Sequence, residues 1–184
     1  MRLYRVFPWL ASAGEGEPGH ALYLPAPSGA GRVDNPTRYG ALYLSDSPVG
    51  AVAEAFGTLK SWTAQMFVRP DLPGSKRAVA TYEVADDVAI FDLDDAASLT
   101  SLGLRPSQVV TRERAVTQKW ALAIYEQGKW GGVRWWSYYD PAWYSYAVWD
   151  LTTLTLNPEA VQPLGIDASP VVGAAEVLGR PRHA

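Results

Sequence analysis

An arginine, a tyrosine and a glutamate follow one another in GRVDNPTRYGALYLSDSPVGAVAEAF, residues 31–56, at Arg32, Tyr43 and Glu54. An arginine can hold a phosphate by paired hydrogen bonds, a tyrosine offers a flat face to a ring, and a carboxylate can stabilise a cation. Together these residue types suggest a nucleotide site. Arg32 lies in the glycine-flanked loop GAGR, where a guanidinium could grip a pyrophosphate and glycine lets the backbone approach a ligand closely. The plain alternative is a solvated surface arginine, and Arg38 in the same loop is a rival. Neither the glycine spacing nor the run Val33-Asp34-Asn35-Pro36 after it matches a dinucleotide fingerprint or a P-loop.

Tyr43 stands in ALYLS. Strand alternation turns it away from Leu42 and Leu44, to a face where it could stack on a nicotinamide or a base, or simply be half-buried. Glu54 falls off the apolar stripe of Val49, Val52, Ala53 and Phe56. It is a solvated outer-face glutamate unless that face of its helix lines a cleft, where it could bind ribose hydroxyls and stabilise positive charge at C1′. Ser137 ends the strand GVRWWS and shares a face with Val133 and Trp135. No histidine is placed to activate it, which rejects a serine hydrolase and leaves a phosphate or ribose contact, or a structural hydroxyl. Around it, residues 135–149 hold four tryptophans and four tyrosines, a density suited to core filling, a stacking wall or a partner surface.

The elements that must position these side chains can be read from period and caps. Residues 3–7 alternate as a strand, 12–19 form a Gly/Pro-rich loop, 21–24 form a possible second short strand, and 25–40 are irregular. Residues 41–44 form a strand, after which Ser47 as N-cap and Pro48 at the first helical position start a helix that runs to Phe56 and closes at Gly57. Residues 78–84 and 88–93 read as a strand pair joined by the acidic turn at 85–87, and Asp94 or Asp95 caps a short helix ending near Gly103. Val116, Trp120, Ala123 and Ile124 mark the clearest long helix, over 112–127. Strands come next at 133–137, 146–149 and 161–164, then a helix over 170–178, with the final RPRHA expected to fray. Helices and strands mix without a regular βαβ rhythm. The expected fold is therefore α+β, one domain with a mostly antiparallel sheet flanked by helices, a core over residues 3–164 and a C-terminal extension over 165–184.

Composition narrows the chemistry further. At 184 residues and 48% hydrophobic content the chain can build one sizeable core. The absence of cysteine excludes disulfides and thiolate metal ligands, and with only His20 and His183 no metal site is expected. The net charge of −3, with no basic run, argues against direct nucleic-acid binding. No apolar run reaches the roughly 20 residues that span a bilayer, and MRLYRVFPWL has strand-like alternation in place of a signal peptide, so a cytoplasmic, membrane-free protein is expected.

The ordered set GRVDNP with Arg32 and Asn35, ALYLSDSP with Tyr43, AVAEAFG with Glu54 and GVRWWSYYDP with Ser137 resembles the RES-domain family, named for an arginine, a glutamate and a serine. The similarity runs from LYRVF to near Leu164. It implies an ADP-ribosyltransferase-like fold and the toxin half of a bacterial toxin–antitoxin pair, depleting NAD by cleaving its nicotinamide–ribose bond with water or phosphate as acceptor. NAD would be a substrate, with no cofactor. Matching position to motif, the resemblance gives Arg32, Tyr43, Glu54 and Ser137 as catalytic residues, and Arg32, Asn35, Tyr43 and Ser137 as substrate-binding ones. It further implies an Xre-type helix-turn-helix antitoxin as partner, in a homodimer or larger complex. Two alternatives stay open: an ADP-ribosyltransferase acting on a macromolecule, and a non-catalytic module that binds through the aromatic segment.

Overall fold

The structure is a computed structural model and describes residues 1–26, 28–156 and 161–183. Residue 27 of the irregular segment and residue 184 at the end of RPRHA lie outside the described residues. In chain order the strands are β1 (Arg2–Trp9), β2 (Leu42–Ser45), β3 (Trp62–Thr63), β4 (Lys76–Val84), β5 (Ile90–Asp92), β6 (Gly132–Trp136), β7 (Tyr144–Val148), β8 (Leu154–Leu156), β9 (Gln162–Pro163) and β10 (Arg182–His183). The α-helices are α1 (Pro48–Phe56), α2 (Ala96–Ser101), α3 (Pro106–Val109), α4 (Arg114–Tyr125) and α5 (Ser169–Val177).

Eight strands make one sheet in the order β5-β6-β7-β2-β1-β4-β8, with β9 also on β4. All its pairs are antiparallel except β5 with β6. The fold is thus α+β with a mostly antiparallel sheet, as the mixed rhythm of the sequence predicts. The sheet must curl. From Val84 to Ile90 the chain can reach at most about 22 Å, yet in a flat sheet β4 and β5 would stand about 24 Å apart. Val84, Val88 and Ile90 accordingly meet in one apolar cluster.

That topology corrects the expected pairing of residues 78–84 with 88–93. The acidic turn does not close a hairpin; β5 crosses to the opposite edge and pairs parallel with β6, in register Asp92 to Arg134. The side chains of that register pair form an ion pair of 2.6 Å. Residues 21–24 are also not a strand, because their carbonyls serve a side chain: Arg5 Nη1 donates to Ala21 O and Tyr23 O. RPRHA does not fray over its described residues, since β10 pairs parallel with β3 and Arg182 Nη1 donates to Ile166 O and Asp167 Oδ1.

Three apolar clusters fill the fold. Leu42 and Leu44 of β2 join Leu3, Phe7 and Tyr82 in one, while Tyr43, on the opposite face, packs on a second around Trp120, Val133 and Trp135. The third lies under α1 and α5, where Val52, Ala53 and Phe56 meet Val171 and Ala174. As the sequence predicts, Ser47 caps α1 by accepting from Gly50 N, and Pro48 occupies the first turn. Gly57 ends α1 with its N–H on Ala53 O, and a side chain there would strike the Tyr139 ring at 2.5 Å. Among the described residues, no helix is long and apolar enough to cross a membrane.

Candidate active site

The loop before β2 is held from within by one buried carboxylate. Asp34 accepts from Gly31 N at 2.9 Å and from Tyr43 Oη at 2.7 Å, and Tyr43 Oη in turn accepts from Val33 N at 3.0 Å. Gly31 is required here, because any Cβ would run into Tyr43 Oη and Asp34 Oδ1. The glycine therefore serves the approach of two side chains to the loop. Burial, then the bond to Asp34, pushes the Tyr43 pKa up, so the phenol stays protonated and keeps donating to that carboxylate. What Tyr43 offers outward is its ring, set edge-on to Trp135 at 6.5 Å.

Asn35 secures the loop from the other side. Its amide donates to Val33 O, Tyr39 Oη and Gln118 O, and Gln118 Nε2 donates to Gly29 O and Gly31 O. These bonds fasten the loop to α4. Asn35 does not line the cavity that Arg32 and Tyr43 share, and its contacts hold the loop that carries Arg32. Arg38, the rival of Arg32, pairs with Glu126 on the surface.

Arg32, Tyr43 and Glu54 line one cavity of about 370 Å³, together with Tyr4, Trp135, Tyr138, Ser145 and Arg114. The α1 face that carries Glu54 is thus turned to a cleft. Ser137 lies behind it: only 3% exposed, it donates from Oγ to Glu54 Oε1 at 2.6 Å. Ser145 Oγ reaches the same oxygen at 3.3 Å. Ser137 is itself oriented, since Oγ accepts from Tyr139 N and its own N–H donates to Trp143 O. Glu54 Oε2 makes no hydrogen bond among the described residues, which leaves one carboxylate oxygen for a ligand.

Arg32 Nη1 donates to Val109 O at 2.6 Å and to Thr111 O at 2.9 Å, so the guanidinium clamps the segment between α3 and α4. Its other N–H groups make no hydrogen bond among the described residues. Burial pushes the Arg32 pKa down, the Arg114 charge adds to that, and Glu54 and Tyr43 oppose it. A bound anion would relieve the same strain of charge.

Arg114 lines the same cavity, and the motifs of the sequence do not point to it. It opens α4, where a cation is opposed by the helix dipole, and that misplacement is a legible sign of another use. Its Nε donates to Ala30 O, while Nη1 is shielded from solvent and has no partner. Asp34 is missed in the same way, although it sits inside GRVDNP. The aromatic run divides: Tyr146, Trp143 and Trp149 fill three different clusters, and only Trp135 and Tyr138 reach the cavity. The described residues hold no cluster of potential metal ligands.

Ser137→Ala tests this geometry. Losing a charge-assisted bond of about 1.5 kcal/mol should cost roughly 10-fold in turnover at the Glu54 centre. Steady-state kinetics should show kcat falling while KM changes less. An equal fall in KM and kcat, or no change in either, would remove Ser137 from its positioning role.

In fold, the chain is similar to one in the crystal structure of the M. tuberculosis MbcT-MbcA toxin-antitoxin complex, with a TM-score of 0.59 and 20% identity, over 97% of this chain and 88% of that one. No match was found among the curated proteins. The family model for the RES domain matches residues 2–166, a span that contains Arg32, Tyr43, Glu54 and Ser137. The chain belongs to the RES domain family.

Proposed function

We propose that this protein is the toxin of a toxin–antitoxin pair and degrades NAD by breaking its nicotinamide–ribose bond. The observation that carries this reading is Glu54, fixed by Ser137 and Ser145 through one oxygen and free at the other, in a cavity shared with two guanidinium groups and an aromatic wall. A cavity of about 370 Å³ is in the range of small-molecule sites. Arg32 and Arg114 hold the diphosphate, Tyr43 and Trp135 border the rings, and Glu54 Oε2 takes the ribose.

That placement dictates the chemistry. As the C1′–N bond breaks, its electron pair returns to the pyridinium nitrogen and nicotinamide leaves neutral. The leaving group therefore needs no proton, and the task left to the protein is to stabilise the cation at C1′ and position the acceptor. Glu54 supplies the negative charge. A water oxygen then bonds to C1′ and releases a proton to solvent; with phosphate as acceptor the product is the 1″-phosphate.

An antitoxin partner is supported by the fold's likeness to a chain solved in a toxin–antitoxin complex, and an Xre-type helix-turn-helix protein is the partner we infer. The test is direct. Purified protein incubated with NAD, with and without inorganic phosphate, should release nicotinamide together with ADP-ribose or its 1″-phosphate. No release under either condition would sink the reading.

A further inference from the structure

We propose that the cleft on the far side of Arg5 is a second anion site, built to take a phosphate group. It arises where β1 leaves β2. The two strands pair only at Tyr4 and Ser45, so from Arg5 onward one edge of β1 is free of β2. A cavity of about 430 Å³ opens there, walled by Arg5, His20, Tyr23, Arg69, Asp71 and Arg77.

Its charges do not cancel. Asp71 is held by Arg69 through both Nε and Nη2, so the one carboxylate in the wall is already neutralised. Arg5 spends Nη1 on the carbonyls of Ala21 and Tyr23, which orients the group and leaves its charge unpaired. Arg77 makes no side-chain hydrogen bond among the described residues. Its Nε is shielded from solvent without a partner, and its guanidinium lies over the Phe56 ring at 5.9 Å. A buried donor left unmade costs stability, and a half-buried cation with no counter-charge adds to that cost. A phosphate in the cleft removes the second of these by bringing the counter-charge to the accessible part of the guanidinium.

Burial, then the neighbouring Arg69, pushes the Arg77 pKa down, with Asp71 opposing, and Arg5 adds to the lowering. Those interactions show the three guanidinium groups feeling one another. Two uncompensated cations suit a dianion, and a phosphate presents several oxygens to guanidinium forks where a carboxylate presents two. The site stands on its own geometry and would survive failure of the NAD reading.

The cleft shares Arg5 and Val6 with the first cavity, so the phosphate could be free or part of a ligand bound next door. Arginine side-chain ¹H–¹⁵N spectra of the full chain distinguish these. Titration with inorganic phosphate, against sodium chloride of equal ionic strength, should shift the Arg77 Nε–H resonance downfield along a saturating curve. The resonance is assigned by its loss in Arg77→Lys, a variant that keeps the charge and should bind phosphate at least tenfold more weakly by calorimetry. If the phosphate is free, Arg32→Gln responds as the parent does. If it belongs to a dinucleotide, NAD shifts the resonance in the parent and not in Arg32→Gln. An Arg77 Nε–H that responds to neither phosphate nor NAD, or responds equally to chloride, would overturn the site.

Discussion

For the proposed reaction, Glu54→Gln is expected to lower nicotinamide release from NAD by about 10²–10³-fold, the loss typical of removing one preorganised electrostatic stabiliser. The substitution is close to isosteric. Its amide oxygen can still accept from Ser137 Oγ, now at 2.6 Å from Glu54 Oε1, and from Ser145 Oγ. What disappears is the negative charge, and the free Oε2 becomes an NH₂ that cannot accept from a ribose hydroxyl. Because both serine hydrogen bonds are kept as neutral ones, the variant should melt close to the parent, within about 1 kcal/mol. Kinetics and a melting curve on the same preparation therefore separate charge from folding. Activity within threefold of the parent would show that Glu54 does not face the developing cation. Glu54→Asp should also be poor, since a side chain one methylene shorter cannot both reach the buried Ser137 and extend into the cavity.

Much of this centre is legible because its signals are local. Ser47, Pro48 and Gly57 mark both ends of α1 without reference to anything distant. Leu42, Tyr43 and Leu44 settle their faces by alternation alone, and the structure divides them between two clusters accordingly. The direction of the Glu54 face is not legible in that way. It depends on how α1 docks against β1, β2 and α5, which is decided by shapes far apart in the chain.

Pairing is the least legible feature for the same reason. Residues 78–84 and 88–93 are adjacent strands with a polar turn between them, the pattern of a hairpin, and local reading favours that answer. The curled sheet lets five intervening residues lead from β4 to β5 at the far edge, and the Asp92–Arg134 pair marks a register no local signal encodes. Asn35 and Ser137 illustrate a further limit. The motif assigns both to a ligand, yet in the structure their contacts are with the protein: Asn35 with Gln118 and the loop, Ser137 with Glu54. Residue type says what a side chain can bond, and only the fold says whether its partner is ligand or neighbour.

Arg32→Lys provides the second large effect, about 100-fold in kcat/KM, and it keeps the charge. The reason lies in the number and direction of donors. In the parent, Nη1 is committed to Val109 O and Thr111 O, and the remaining N–H groups of the fork are available to a diphosphate. An ammonium is a compact point charge with three donors and no fork, so it cannot hold both carbonyls and grip a phosphate bidentately. Losing about 3 kcal/mol of charge-assisted bonding corresponds to roughly 10²-fold. The defect should appear mainly in KM, since the diphosphate is held alike before and during bond cleavage. Arg114→Gln should cost less, about 10-fold, because it removes one charge and leaves the clamp on Val109 and Thr111 intact. Calorimetry with ADP-ribose separates the two functions of Arg32: binding weakens in Arg32→Lys if the guanidinium touches the diphosphate. If Arg32 only clamps the chain, amide exchange at Val109–Thr111 rises while ADP-ribose affinity stays at the parent value, and the diphosphate contact must be given to Arg114 alone.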